Sequence, residues 1–203
     1  MNAYLCWATE PDHLADLALE CLSEDRGRAS MFAPEDRHHR LAAYGLARRV
    51  LRDTGVAPFD SVIARLPSGQ PFLVGMPEVS ISLSHSALGA MVGIGDGVHI
   101  GVDLQEQQEL QVWTDIADYF APNEDLNAEG FLRRWVASEA CAKSFGLGMP
   151  AIADAPLEMS KPACCNGLTW QGRAARDILT ELVPGGCTAY AVSAGAAVSV
   201  GLR

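Results

Sequence analysis

Three stretches of the chain hold residues whose types and spacing could carry chemistry. In the segment from His99 to Gln105, Asp103 and Gln105 stand two apart among Gly101, Val102 and Leu104, so on a strand both point to one face of an otherwise apolar element. A carboxylate in such surroundings must be paired or must bind a cation. A second carboxylate, Glu139, recurs with Trp135 and Lys143 at i, i+4 and i+8, which sets the three along one helix face bordered by small and apolar residues. Two readings of Glu139 and Lys143 stay open: an exposed ion pair worth about 0.3 to 0.5 kcal/mol, and a charged pair facing a sheltered site. The third stretch, Ser80 to Ser86, runs a strand into a turn with hydroxyls around His85. Ser84, Ser86, His85 and backbone N–H groups together suit a phosphate. His85 as a base oriented by Asp103 would suit an esterase, but no G-x-S-x-G elbow is present.

The elements that must position these groups follow from periodicity and punctuation. Asn2 to Ala8 reads as a strand, and Pro11 opens a helix carrying Leu14, Leu17 and Leu19. Pro34, Glu35 and Asp36 start a helix whose stripe Leu41, Tyr44, Leu46, Val50 and Leu51 runs to a stop at Gly55. Strand-like pieces follow at 61–66, 72–74, 79–84, 90–93 and 99–104, with a turn at Gly95 to Gly97. The order then repeats: helices at 112–120 and 127–145, and strands at 168–170, 178–183, 187–193 and 196–202. A helix followed by antiparallel strands, twice over, predicts an α+β fold of two similar halves, 1–97 and 98–203, related by a pseudo-twofold, each with a helix packed on a small antiparallel sheet.

Composition narrows the function. The 203 residues, 49% hydrophobic and 20% charged, can bury a full core. A net charge of −10 argues against nucleic acid as a partner, because phosphate contacts need a basic surface. The six cysteines form no C-x-x-C pair and read as reduced, buried side chains. The N-terminus lacks a secretory pattern and the longest apolar run, 189–202, is too short to span a bilayer, so a cytoplasmic protein with no membrane partner is expected. Against the acidic whole, Arg26, Arg28, Arg37, Arg40, Arg48, Arg49 and Arg52 crowd one segment opposite only Glu35 and Asp36. Two readings of that segment stay open, a solvated helix face and a patch for an anionic small molecule. A nucleotide-binding loop at Gly93-x-Gly95-x-Gly97 is a weaker candidate, since the full G-x-G-x-x-G and the following helix are missing.

In order and spacing the motifs resemble those of the surfactin-type 4′-phosphopantetheinyl transferases of the holo-acyl-carrier-protein synthase superfamily. The matching pieces are Ser84-His85-Ser86, Gly101-Val102-Asp103 and Trp135-x-x-x-Glu139-Ala140-x-x-Lys143, with Gly69-x-Pro71, Tyr119-Phe120-x-x-x-Glu124 and the basic stretch from Leu22 to Arg52 as weaker matches. The resemblance covers residues 20 to 148. It implies an enzyme that moves the phosphopantetheine arm of coenzyme A onto a serine of an acyl or peptidyl carrier protein, as a monomer and with Mg²⁺. By similarity Asp103 and Glu139, with Gln105, would hold Mg²⁺. Glu139 would help deprotonate the carrier serine and Lys143 would neutralise phosphate charge. Ser84 and His85 would meet the nucleotide end, and Arg28 and Arg40 the 3′-phosphate. Attack of a hydroxyl on the β-phosphorus calls for a hard cation with oxygen ligands and a positioned base, which these residue types supply.

Three positions depart from the family: Gln105 where Glu is common, Ser138 where Lys precedes the helix glutamate, and Gln70 where Lys sits in the Gly-x-Pro turn. Each is expected to remove charge facing metal or phosphate, and a homologue that binds carrier protein or coenzyme A without transfer is the alternative. Glu106 would reach the site only through a bulge. If Gln105 borders the metal, Gln105→Glu adds a negative charge worth about 1 kcal/mol net beside a divalent cation, after repulsion from the other carboxylates. The expected result is a several-fold lower half-saturating Mg²⁺ concentration for the variant; superimposable Mg²⁺ titrations of transfer would place Gln105 outside the metal shell.

Overall fold

The computed structural model describes residues 1–107, 127–147, 164–168, 176–193 and 195–201. Among these residues the fold is α+β. The first part runs β1 (Asn2–Ala8), α1 (Pro11–Leu19), α2 (Ser23–Ala29), α3 (Pro34–Thr54), β2 (Ile63–Arg65), β3 (Pro71–Leu73), β4 (Val79–Ser86) and β5 (Gly89–Asp96). The rest comprises β6 (Ile100–Glu106), α4 (Ala128–Ser144), β7 (Cys164–Leu168), β8 (Arg176–Val183), β9 (Gly186–Ser193) and β10 (Ala197–Gly201). The helix expected at 112–120 lies outside the described residues, as does most of the strand expected at 168–170. No helix among the described residues is long and apolar enough to cross a membrane.

Two sheets carry the strands, in the orders β10-β1-β5-β4-β3-β2 and β6-β9-β8-β7. Each has a helix on its outer face. Pro34 opens α3, and Gly55 ends it in a left-handed conformation with its N–H bonded to the Leu51 carbonyl. The buried stripe of α3, Leu46, Ala47, Val50 and Leu51, packs with Ile81, Val92 and Ile94 of the first sheet. On the second sheet α4 is capped by the Asn127 side chain, which accepts from the Gly130 N–H at 2.8 Å. Its Phe131, Val136, Ala140 and Cys141 pack with Ile178, Ala189 and Ala191. Gly101 lets α4 lie directly on β6, because a Cβ there would collide with the Ala140 carbonyl and the Ser144 N–H.

Between the inner faces lies a third core, in which Ala3, Leu5, Trp7 and Met91 of the first sheet meet Ile100, Val102 and Leu104 of β6. Gly93 and Gly95 sit on β5 facing this core, where a Cβ would strike Val102 and Ile100, or the Val98 carbonyl. These glycines are therefore packing positions inside a strand, which removes the nucleotide-loop reading of Gly93-x-Gly95-x-Gly97. The turn begins later than expected, since β5 continues through Asp96.

Side chains rather than a backbone ladder join the sheets along β4 and β6. Ser80 donates to the Val98 carbonyl at 2.6 Å, and the Ser82 and Ser84 hydroxyls accept from the N–H groups of Val102 at 3.0 Å and Leu104 at 3.2 Å. Period-two alternation puts all three serines on one face of β4. The last strand crosses back, pairing in parallel with β1 from Asn2↔Ala197 to Cys6↔Gly201, so the sheet of residues 1–97 is completed from beyond 98. Ser82→Ala strands a buried N–H, a loss of about 1 to 3 kcal/mol. In calorimetry the expected drop in Tm is roughly 3 to 10 °C; a drop under 1 °C would show that the serine seam contributes little.

Candidate active site

Strand β6, helix α4 and strand β4 bring four of the expected residues to one point. Asp103, 3% exposed, projects from β6 toward α4. Glu139 and Lys143 project back, one helical turn apart. The Lys143 Nζ lies 2.6 Å from Asp103 Oδ1, 3.3 Å from Glu139 Oε2 and 3.5 Å from the Ser84 hydroxyl. Ser84 donates to the same Asp103 Oδ1 at 2.8 Å while accepting from Leu104 N–H, so one hydroxyl fixes both the strand seam and the carboxylate. Asp103 Oδ2 is buried without a hydrogen-bond donor.

Two cavities flank this cluster. The polar one, about 270 Å³, is bordered by Arg40, Tyr44, Ser84, His85, Asp103 and Gln105. The other, about 220 Å³, is walled by Pro71, Ile81, Leu83, Ala142 and Leu147, with Gln70 at its side. Arg65, Leu83, Glu139 and Lys143 border both.

Burial together with the charge of Asp103 raises the Glu139 carboxyl to about 7, although Lys143 pulls it down. Burial alone would lower the Lys143 ammonium, but the carboxylates of Asp103 and Glu139 outweigh it and hold the pKa above the ordinary lysine value. His85 is pushed down to about 4 by burial and by the cations Arg40 and Lys143, so it is neutral at pH 7. Burial also lowers Arg40, whose guanidinium lies 3.7 Å from the centre of the Phe32 ring and whose Nε is buried without an acceptor.

Asp103, Gln105, Glu139, Lys143, Ser84, His85 and Arg40 all reach the cavities. Trp135 does not: it stacks on Phe131 at 6.4 Å and packs against the α4 core. Arg28, half-buried on α2, borders neither cavity. The basic patch largely dissolves into internal bonds. Arg48 forks onto Asp25 at 2.8 Å with both side chains 1% exposed, and Arg49 and Arg52 share Glu20. Arg26 donates to the carbonyls of Ala18 and Leu19, and Arg37 to those of Ser30 and Phe32. Among these, Arg40 alone is a cavity residue.

Other expectations are also redrawn. Ser138 is fully buried and borders neither cavity, so the charge missing there faces the core rather than metal or phosphate. Glu106 pairs opposite Gly186 in a regular register with no bulge and stays out of the polar cavity. No hydrogen bond joins His85 to Asp103 among the described residues, because alternation along β4 turns Ser84 and His85 to opposite faces; the esterase arrangement is not formed. Arg65 is the residue that sequence reasoning passed over. It donates to Tyr44 and, at 2.6 Å, to the Gly69 carbonyl, and its one local sign is an arginine shortly before the Gly-x-Pro turn.

Among the described residues no three His, Cys, Asp or Glu side chains converge on a point. The donors present, the Gln105 carboxamide and the carboxylates of Glu139 and Asp103, whose Oδ2 has no hydrogen-bond partner, nonetheless fit a hard cation that keeps several waters.

Glu139 holds its proton more tightly in the folded chain than the ordinary 4.5 of the unfolded one. Folding stability therefore falls as pH rises from 4.5 through about 7, and the loss is complete above that. Glu139→Gln removes the effect. In metal-free buffer the variant should exceed the parent by about 2 to 3 kcal/mol at pH 8 and match it near pH 4. Equal denaturant midpoints at pH 8 would show that Glu139 ionises without cost. No protein-family model and no curated protein matches this chain, so the chemistry of the site rests on its own atoms.

Proposed function

We propose that this protein transfers the 4′-phosphopantetheine group of coenzyme A to a serine of an acyl or peptidyl carrier protein, with Mg²⁺ as cofactor. The observation that carries the reading is the meeting of Asp103, Glu139 and Lys143 at the wall of a polar cavity that also holds Arg40 and Arg65. Carboxylates suit a hard cation and the cations suit a diphosphate, and the two sets adjoin. The helix on the outer face of each sheet supports the view of two halves related by a pseudo-twofold, with coenzyme A in the cleft where they meet. Use of coenzyme A fits a cytoplasmic protein, and a cleft internal to one chain fits a monomer.

Asp103, Glu139 and the Gln105 oxygen would hold Mg²⁺. Bound there, the ion would neutralise charge on the diphosphate oxygens. Glu139 accepts the proton of the carrier serine as the serine oxygen bonds to the β-phosphorus. The bond from that phosphorus to the bridging oxygen breaks, and adenosine 3′,5′-bisphosphate leaves with the electron pair. Lys143 would neutralise the charge developing on that leaving oxygen, and Arg40 and Arg65, which line the polar cavity, would hold phosphate there. Neutral His85 supplies a hydrogen bond without adding charge.

The neutral Gln105 in the cavity wall favours a second reading, binding without transfer. Incubation with Mg²⁺, coenzyme A and apo-carrier proteins decides between them: the proposed enzyme adds one phosphopantetheine by intact mass, whereas carrier binding with no mass change supports the second. In the active case Arg40→Ala should raise KM for coenzyme A about tenfold with kcat within about twofold, since the contact is made equally in ground and transition states. An unchanged KM would remove Arg40 from the coenzyme A site.

A further inference from the structure

The Lys143 ammonium stands where a cation between Asp103 and Glu139 would stand. Its contacts are Asp103 Oδ1 at 2.6 Å, Glu139 Oε2 at 3.3 Å and the Ser84 hydroxyl at 3.5 Å, and an ammonium has three protons to place. A divalent ion drawn to the same carboxylates would meet that positive charge at close range, in surroundings that screen it poorly. The side chain nevertheless has somewhere to go: it is 30% exposed, its stem is flexible, and it borders both cavities.

We infer that Lys143 is a resident counter-ion of the Asp103–Glu139 pair, and that a divalent cation enters only as this ammonium swings out into the cavity. The inference rests on the reading that a divalent cation binds here. It adds that the metal-free site is held closed by the chain's own lysine, so metal alone binds weakly. A diphosphate in the cavity gives the displaced ammonium a new partner, so metal and a diphosphate-bearing ligand bind cooperatively. Lys143 thus carries two successive tasks, keeping two buried carboxylates from repelling each other and then meeting phosphate.

Lysine occurs at two positions, 143 and 161, so isotope-labelled lysine gives two side-chain signals that Lys161→Arg assigns. In the unaltered chain, added Mg²⁺ should shift the Lys143 Nζ and Cε signals in step with metal binding followed by calorimetry. A Lys143 signal that stays fixed while Mg²⁺ saturates the site overturns the displacement. Separately, Mn²⁺ binding is measured by electron paramagnetic resonance at pH 8.5 without coenzyme A. Lys143→Met should bind Mn²⁺ about tenfold more tightly than the parent, because the competing charge is gone; equal or weaker binding by a folded variant counts against the counter-ion role. If neither protein binds Mn²⁺ or Mg²⁺, the divalent-cation reading itself fails and the displacement falls with it.

Discussion

Everything at the site depends on how the edge of β6 is satisfied. As the outer strand of its sheet, β6 has N–H groups at Val102 and Leu104 that no neighbouring backbone accepts, and buried donors of this kind must find partners. Hydroxyls of Ser82 and Ser84 provide them. That choice fixes the distance between the sheets and sets Asp103 under the Ser84 hydroxyl. Room for the arrangement comes from glycine: Gly93 and Gly95 make space on β5 and Gly101 brings α4 close enough for Lys143 to reach β6.

Once the seam is set, the electrostatics follow. Two carboxylates brought together away from water cannot both ionise freely, and a lysine one turn along α4 partly relieves them. The residual imbalance leaves Glu139 near neutrality in its titration and Asp103 with one oxygen unclaimed. Such a cluster is costly as structure, since well-packed apolar side chains would serve a core better. It stands at the wall shared by two cavities, the kind of place where perturbed titratable groups mark a candidate site.

Much of the frame was legible in the sequence. Pro34 and Gly55 marked both ends of α3, Asn127 marked the start of α4, and alternation located β1, β4, β6, β8 and β9, because these signals are local. Helix α2 carries no periodic signal, its seven residues being too few to show one and burying only two side chains, Asp25 and Ala29. Asp103, Glu139 and Lys143 could be singled out from their neighbours, but their meeting is a tertiary fact. The arginines show the limit most clearly. Seven in one stretch look alike in sequence, yet Arg48 belongs to Asp25, Arg49 and Arg52 to Glu20, and only Arg40 to the cavity. The seam formed by Ser80, Ser82 and Ser84 is not legible in the sequence, because hydroxyls on a strand reveal nothing of the strand they face.

The parallel pairing of β10 with β1 bears on the order in which the molecule can be made. Strand β1 is flanked on one side by β5 and on the other by residues translated almost two hundred positions later. While the chain emerges from the ribosome, α1, α3 and the β1, β4 and β5 strands can assemble, but one edge of β1 stays open until residues 197–201 have emerged. Its backbone groups there form a template for any extended segment that arrives first. Closing that edge is a late, long-range event, and until it happens the edge is a point of vulnerability to aggregation during biogenesis.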